Sequence, residues 1–382
     1  MRIGIAGILN KPISKNTGGG TETFTFGLVE ELVKKGHDVT LFANSDSLTS
    51  AHLESICSTS RLHESKVAEI RAAYLSAYHL AQSRNIVFKS QEFDIIHNNY
   101  FDSYLFTAFS DWIKCPLITT IHNDLWQFPY LRLALEKNHR KGKDGLVFVS
   151  NKAKELAGNP ADSYVIHNGV DFNLYEFNKN GGEELFWLSR VVENKGAREA
   201  VQAARATNKP LILSGYEVVS EKYKEYFDAY IKPYLSPMIK DLGGTDSFEE
   251  KVRLYGNAKA FLFPILWEEP FGLVMLESMS CGTPVIAYAQ GAIPEVIVDG
   301  KTGFIVNRSN EDIRGDWIVK KTGIDGLSEA IERIYSMNSS EYLIMRQNAR
   351  RHVEKNFGRD QMVTEYEKLY TKLSDNIAQE LK

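Results

Sequence analysis

The densest run of chemistry-bearing residues is Trp267-Glu268-Glu269-Pro270-Phe271-Gly272-Leu273-Val274-Met275-Leu276-Glu277, followed by Ser278-Met279-Ser280-Cys281-Gly282-Thr283-Pro284. Pro270 cannot extend a preceding helix but suits the start of one, and Gly282 with Pro284 closes one. The pattern therefore predicts a helix beginning close to Phe271. The first amides of such a helix are free donors at the positive end of its dipole, a natural site for an anion. Helical rise over the steps from Glu269 to Glu277 would separate their carboxylates by about 12 Å, against the ~5–5.5 Å of a retaining glycosidase pair. The two acids should have separate jobs. Taken out of context, they read equally well as a capping acid and an exposed helix glutamate.

A second run, Arg190-Val191-Val192-Glu193-Asn194-Lys195-Gly196, lies between a predicted strand and a predicted helix. Arg by its fork and Lys as a point charge can clamp a diphosphate there; the plainer alternative is a solvated basic loop. The third, Thr17-Gly18-Gly19-Gly20-Thr21-Glu22, also joins strand to helix, and its glycines let backbone amides approach a ligand. It is neither a GxGxxG fingerprint nor a P-loop, and a flexible turn explains it as well. His122 follows a predicted strand at the end where ligands of parallel sheets gather, but His97 and His167 also end strands. No Asp-any-Asp pair and no HExxH spacing occurs, so no catalytic metal is expected.

Short β-branched runs alternate with helical patterns, the signature of βαβ units with parallel sheets. Strands are predicted near 2–8, 38–42, 94–97, 117–121, 145–149 and 164–166, then near 185–188, 210–213, 260–263, 284–287 and 304–306. Helices are predicted over 21–35, 64–84, 196–206, 223–231 and 271–280, then over 326–337, 340–356 and 359–373. Residues 309–322 read as a surface loop or a short helix. The fold class is α/β, with two doubly wound Rossmann-like domains, 1–168 and 184–358, joined by a connection at 169–183 and expected to hold a ligand in the cleft between them.

Length and composition agree with this. A chain of 382 residues exceeds what one core usually supports, and its 43% hydrophobic and 25% charged residues are those of a globular protein. The net charge of −4 comes from interspersed acids and bases, which argues against a nucleic-acid coat. Three cysteines, Cys57, Cys115 and Cys281, have no disulfide or zinc spacing. No signal-peptide pattern and no membrane-length apolar run is present, so a cytoplasmic location is expected. Arg132, Lys137, Arg140, Lys141 and Lys143 read either as a solvated basic face, the commoner case, or as a patch approaching anionic lipid at the cytoplasmic membrane face.

The chain resembles the family-4 retaining glycosyltransferases of GT-B fold along nearly its whole length. The resemblance rests on Gly19-Gly20-Thr21-Glu22, Asp94-Ile95-Ile96-His97, Thr120-Ile121-His122 and Ile166-His167-Asn168-Gly169-Val170-Asp171. It continues through the 190–196 run, Glu269-Pro270-Phe271-Gly272 with Glu277, Gly282-Thr283-Pro284-Val285, Pro294-Glu295-Val296 and Gly303-Phe304. The glutamate pair in its Pro-Phe-Gly setting is the most specific of these.

The resemblance implies a sugar transfer from a nucleoside-diphosphate donor, most commonly a UDP-sugar, with no cofactor and no metal. Arg190 and Lys195 would hold the diphosphate with the amides of Gly19 or Gly20, and Glu277 would bind the ribose hydroxyls. Glu269 and the amides of Phe271, Gly272 and Leu273 would grip the donor sugar, and His122 would help stabilise the transition state. The acceptor, a small molecule, a glycan or a lipid-linked sugar, would contact the N-terminal domain, and the last helix, within 359–382, would cross back to that domain. A front-face mechanism is implied, with a donor phosphate oxygen taking the acceptor proton. Alternatives of similar architecture are a sugar-nucleotide epimerase, a dehydrogenase, disfavoured by the missing GxGxxG, and a nucleotide-sugar-binding protein without activity.

Overall fold

The computed structural model describes residues 1–59, 68–100, 106–124, 129–216, 221–245 and 247–380. The chain divides into two compact units, Met1–Gly169 with Arg359–Lys382, and Val170–Gly358.

In the first unit β1 (Arg2–Ala6), β2 (Asp38–Phe42), β3 (His52–Glu54), β4 (Ile95–Asn98), β5 (Leu117–Ile121), β6 (Gly145–Phe148) and β7 (Ser163–Val165) form one sheet in the order β3-β2-β1-β4-β5-β6-β7. All its pairings are parallel. Helices α1 (Gly20–Lys34), α2 (Ala68–Lys89), α3 (Pro129–Lys137) and α4 (Asn151–Leu156) lie between the strands. Every position of β4, β5 and β6 is buried, because helices cover both faces of a parallel sheet.

The second unit carries β8 (Glu184–Arg190), β9 (Leu211–Tyr216), β10 (Ile239–Asp241), β11 (Ala258–Phe263), β12 (Val285–Tyr288) and β13 (Gly303–Val306), ordered β10-β9-β8-β11-β12-β13 and again parallel. Its helices are α5 (Ala197–Thr207), α6 (Glu221–Tyr230), α7 (Phe248–Gly256), α8 (Leu273–Ser280), α9 (Ile293–Val296), α10 (Gly323–Ser336) and α11 (Ser339–Asn356). In each sheet the strand order reverses beside the first strand of the unit, β1 or β8, which is where ligands of doubly wound sheets bind.

The last helix, α12 (Arg359–Glu380), returns to the first unit. Its Tyr370 hydroxyl lies 2.7 Å from His97 Nδ1, while Thr120 lies 2.7 Å from His97 Nε2 and 3.0 Å from the Tyr366 hydroxyl. Burial pushes the His97 imidazole down to about 3, so this strand-end histidine is a neutral core bridge. In the second unit the fully buried Arg346 of α11 donates to the carbonyls of Asn178, Gly256, Ala258 and Cys281. Arg350, one turn on, donates to those of Phe172, Tyr175 and Ser280, at 2.9, 2.7 and 2.7 Å.

Several expectations need correction. Helix α8 begins at Leu273, because Gly272 caps it in the left-handed region (φ 87°) and breaks the helical path from Phe271. Strands β3 and β10 and helices α3, α4, α7 and α9 were not predicted; the two strands, of three residues each, are too short to display a period. The helix expected over 64–84 runs on to Lys89, and its expected start lies outside the described residues. Arg140 does not belong to an exposed basic face, because its guanidinium is spent on Asp144 and on the carbonyls of Ile113 and Cys115.

Candidate functional site

At the carboxyl end of β8 the chain turns through Val191–Gly196 before entering α5. The buried Trp187 donates its Nε1 proton to the Lys195 carbonyl at 3.1 Å, which fixes the backbone from which Lys195 projects. The Lys195 ammonium sits 2.8 Å from Glu269 Oε2 and 4.3 Å above the Trp267 ring, and Trp267 Nε1 donates to the same oxygen at 3.0 Å. The Lys195 and Glu269 side chains are only 12% and 13% exposed, so the pair is largely withdrawn from water. Arg190, the last residue of β8, is exposed, and no hydrogen bond or ion pair among the described residues engages its guanidinium.

The neighbouring acid is used differently. Glu268 accepts the Gly291 amide at 2.7 Å and pairs with Arg314 at 2.7 Å, while Arg314 also reaches Asp312 at 2.7 Å. The loop after β12 is thereby laid against the loop after β11. A Cβ on Gly291 would stand 2.1 Å from the Glu269 carbonyl oxygen, so the close approach admits only glycine. The Ala292 amide completes the contact by donating to that carbonyl at 2.9 Å. Phe271 points inward and packs edge-on against Phe357, so the first amides of α8 are those of Leu273 and Val274.

Glu277, in the interior of α8, is 4% exposed, which rules out an exposed helix glutamate. Its Oε1 accepts from the Tyr175 hydroxyl at 3.1 Å and from Lys251 Nζ at 2.8 Å, and its Oε2 from the Tyr255 hydroxyl at 3.2 Å. Tyr175 is itself held by Arg350 at its carbonyl. Lys195, Glu269 and Trp267 thus form one cluster of the second unit, and Glu277 with Tyr175, Lys251 and Tyr255 forms another.

In the first unit Gly19 caps α1, Gly20 begins it, and the Thr23 amide donates to the Gly19 carbonyl at 3.0 Å. His122 stands just past β5 with its ring edge-on to Phe24 of α1, centroids 4.5 Å apart, and its Nε2 3.2 Å from Asn99 Oδ1. With that oxygen as acceptor, the ring proton is on Nε2 and the lone pair on Nδ1. Burial pushes His122 down to about 3, so it is neutral across the physiological range. His167 is half-buried.

Sequence reasoning missed Tyr175, Lys251, Tyr255, Glu268 as a loop brace, Arg314 and Gly291. Trp267 and Glu268 stand in the run already singled out, but no role was assigned to them; the others carry no local signal.

Two family models match adjoining stretches of the chain: one described as Glycosyltransferase Family 4 over residues 18–174, and one as Glycosyl transferases group 1 over 175–352. An uncharacterised glycosyltransferase of Methanocaldococcus jannaschii is 24% identical over 91% of this chain and 94% of its own. Among solved structures, sucrose-phosphate synthase from Thermosynechococcus elongatus superposes with a TM-score of 0.78 at 18% identity, covering 97% of this chain and 98% of that one. Anabaena HepE in complex with UDP and glucose does so with a TM-score of 0.72 at 18% identity, covering 97% and 99%. These likenesses show the GT-B fold.

Proposed function

Because the chain belongs to the family 4, group 1 glycosyltransferases, we propose that it transfers a sugar from a UDP-sugar to its acceptor with retention of configuration, without a metal or other cofactor. The observation that carries this reading is the Lys195–Glu269–Trp267 cluster, with the exposed Arg190 at the end of the strand that leads into the Lys195 loop. Loss of a nucleoside diphosphate builds negative charge on phosphate, which Arg190, Lys195 and the first amides of α8 are suited to neutralise. Glu269 supplies the opposite charge, which suits a sugar becoming oxocarbenium-like. Glu277 is assigned to the ribose, and from the first unit the amides of Gly19 and Gly20 to the diphosphate and His122 to the sugar.

Retention follows the resemblance to the family, and the front-face step moves the acceptor hydroxyl proton to a donor phosphate oxygen as the glycosidic bond forms and the phosphate bond breaks. The absence of an Asp-any-Asp pair supports metal independence. The HepE complex with UDP supports the choice of donor base. The first unit is assigned the acceptor, and a cytoplasmic setting accords with the finding that no helix among the described residues is long and apolar enough to cross a membrane.

A thermal-shift panel of nucleoside diphosphates and their sugars tests the reading, since a ligand of the folded state raises the melting temperature by mass action. UDP and one UDP-sugar should stabilise the protein with EDTA present. Stabilisation by none of the panel would refute the reading, and conversion of the bound sugar nucleotide to its isomer would make the protein an epimerase.

A further inference from the structure

We propose that Lys251 is a second ribose-binding residue, which together with Glu277 reads the vicinal diol of the donor nucleoside. This rests on the assignment of Glu277 to the ribose. A carboxylate offers about four lone-pair positions, two on each oxygen. On Glu277 both positions of Oε1 are taken, by Tyr175 and Lys251, and one position of Oε2 by Tyr255. Among the described residues a single acceptor position remains, on Oε2. Glu277 can therefore take the proton of one ribose hydroxyl but not of two, and the second hydroxyl needs a different partner.

Lys251 provides it. An ammonium carries three protons, and among the described residues only Glu277 Oε1 receives one from Lys251 by a hydrogen bond. Its side chain is 15% exposed, and the Phe248 ring, with its centroid 5.2 Å from Nζ, confines it from one side. One free acceptor position, on Oε2, and two free donor positions, on an ammonium 2.8 Å from Oε1 of the same carboxylate, thus stand side by side. A vicinal diol matches this set: one hydroxyl donates to Glu277 Oε2 and the adjacent hydroxyl oxygen accepts from Lys251 Nζ. The ammonium also offsets the charge of Glu277, so that a donor already carrying a diphosphate is not repelled by a mostly buried carboxylate.

The test measures calorimetric affinities for the ribo, 2′-deoxy and 3′-deoxy forms of whichever of UDP, GDP and ADP raises the wild-type melting temperature most. Wild type should prefer the ribo form over each deoxy form by about tenfold, the lower end of what a hydrogen bond to a charged group contributes. Lys251→Met should lose about tenfold in affinity for the ribo form and lose its preference over one of the deoxy forms, keeping the other preference, which reports Glu277. Lys251→Gln, which retains an N–H donor without the charge, should keep part of the lost preference and guards against a methionine variant that folds poorly. A merely structural ion pair could lower stability or overall affinity, but it would leave the ribo-to-deoxy ratios where they are in wild type. Unchanged ratios in both variants would overturn the assignment of Lys251 alone. A wild type that binds none of the three diphosphates would overturn it together with the donor reading beneath it.

Discussion

Replacing Glu269 by glutamine removes the charge that faces Lys195 while keeping an oxygen for Trp267 Nε1. At the observed 2.8 Å separation, the Coulomb attraction is about 1.5 kcal/mol if water screens it fully and about 6 kcal/mol at an effective dielectric of 20. With both side chains largely withdrawn from water, the desolvation of two charges brings the net value well below the upper figure. On the proposed assignment of Lys195 to the diphosphate, the donor competes with Glu269 for the same ammonium. Freeing Lys195 should therefore tighten nucleoside-diphosphate binding by about three- to tenfold, or about 1 kcal/mol. Turnover should move the other way and fall by about 10²–10³, because a preorganised charge opposite the developing cation is gone. Calorimetry with the diphosphate and initial rates with the sugar nucleotide, on one preparation of Glu269→Gln, read both effects. Weaker diphosphate binding with an unchanged rate would refute the reasoning and leave Glu269 as a structural partner of Lys195.

The remaining predictions use the same site and its surroundings. Arg190→Ala should alter stability by no more than about 0.5 kcal/mol, since the side chain is exposed and has no partner among the described residues, yet lower turnover about 10²-fold; paired melting and rate measurements check this. Glu277→Ala should weaken nucleoside diphosphate and sugar nucleotide alike, by about 1.5–3 kcal/mol, in a direct binding assay. Among the described residues, burial lowers four imidazoles below their ordinary value of 6.5: His97 and His122 to about 3, His79 to about 4, and His352 in the same direction. Each favours its neutral form in the folded state, so its stabilisation is complete above pH 6.5 and is lost as pH falls toward 4. The slope is at most about 1.4 kcal/mol per pH unit for each group, least for the half-buried His122. Urea midpoints at pH 7.5, 6 and 5 should fall in that order, and a constant midpoint would contradict the burial argument.

Much of the fold was legible because a parallel sheet buries both faces of its strands, leaving runs such as Leu117–Ile121 and Ala258–Phe263 that only a covered sheet accommodates. The start of α8 was misjudged by two residues. Proline rules describe how a helix may begin, whereas the left-handed Gly272 decides where this one does. Within the site, Glu269 and Glu277 stand in one continuous motif and could be found by spacing. The groups that hold Glu277 come from 102, 26 and 22 residues away, namely Tyr175, Lys251 and Tyr255, and no period links them to it. Likewise, nothing local in the polar 309–322 segment shows that Arg314 braces Glu268, because that pairing depends on the loops after β11 and β13 meeting once the sheet has formed.

The central claim is a metal-independent transfer that retains configuration, and real-time proton NMR of the enzyme with its stabilising sugar nucleotide in EDTA tests it most directly. Free nucleoside diphosphate should accumulate while the transferred or hydrolysed sugar first appears with the anomeric configuration it had in the donor. First appearance of the opposite anomer, an isomerised sugar nucleotide, or release that begins only when manganese or magnesium is added would contradict it.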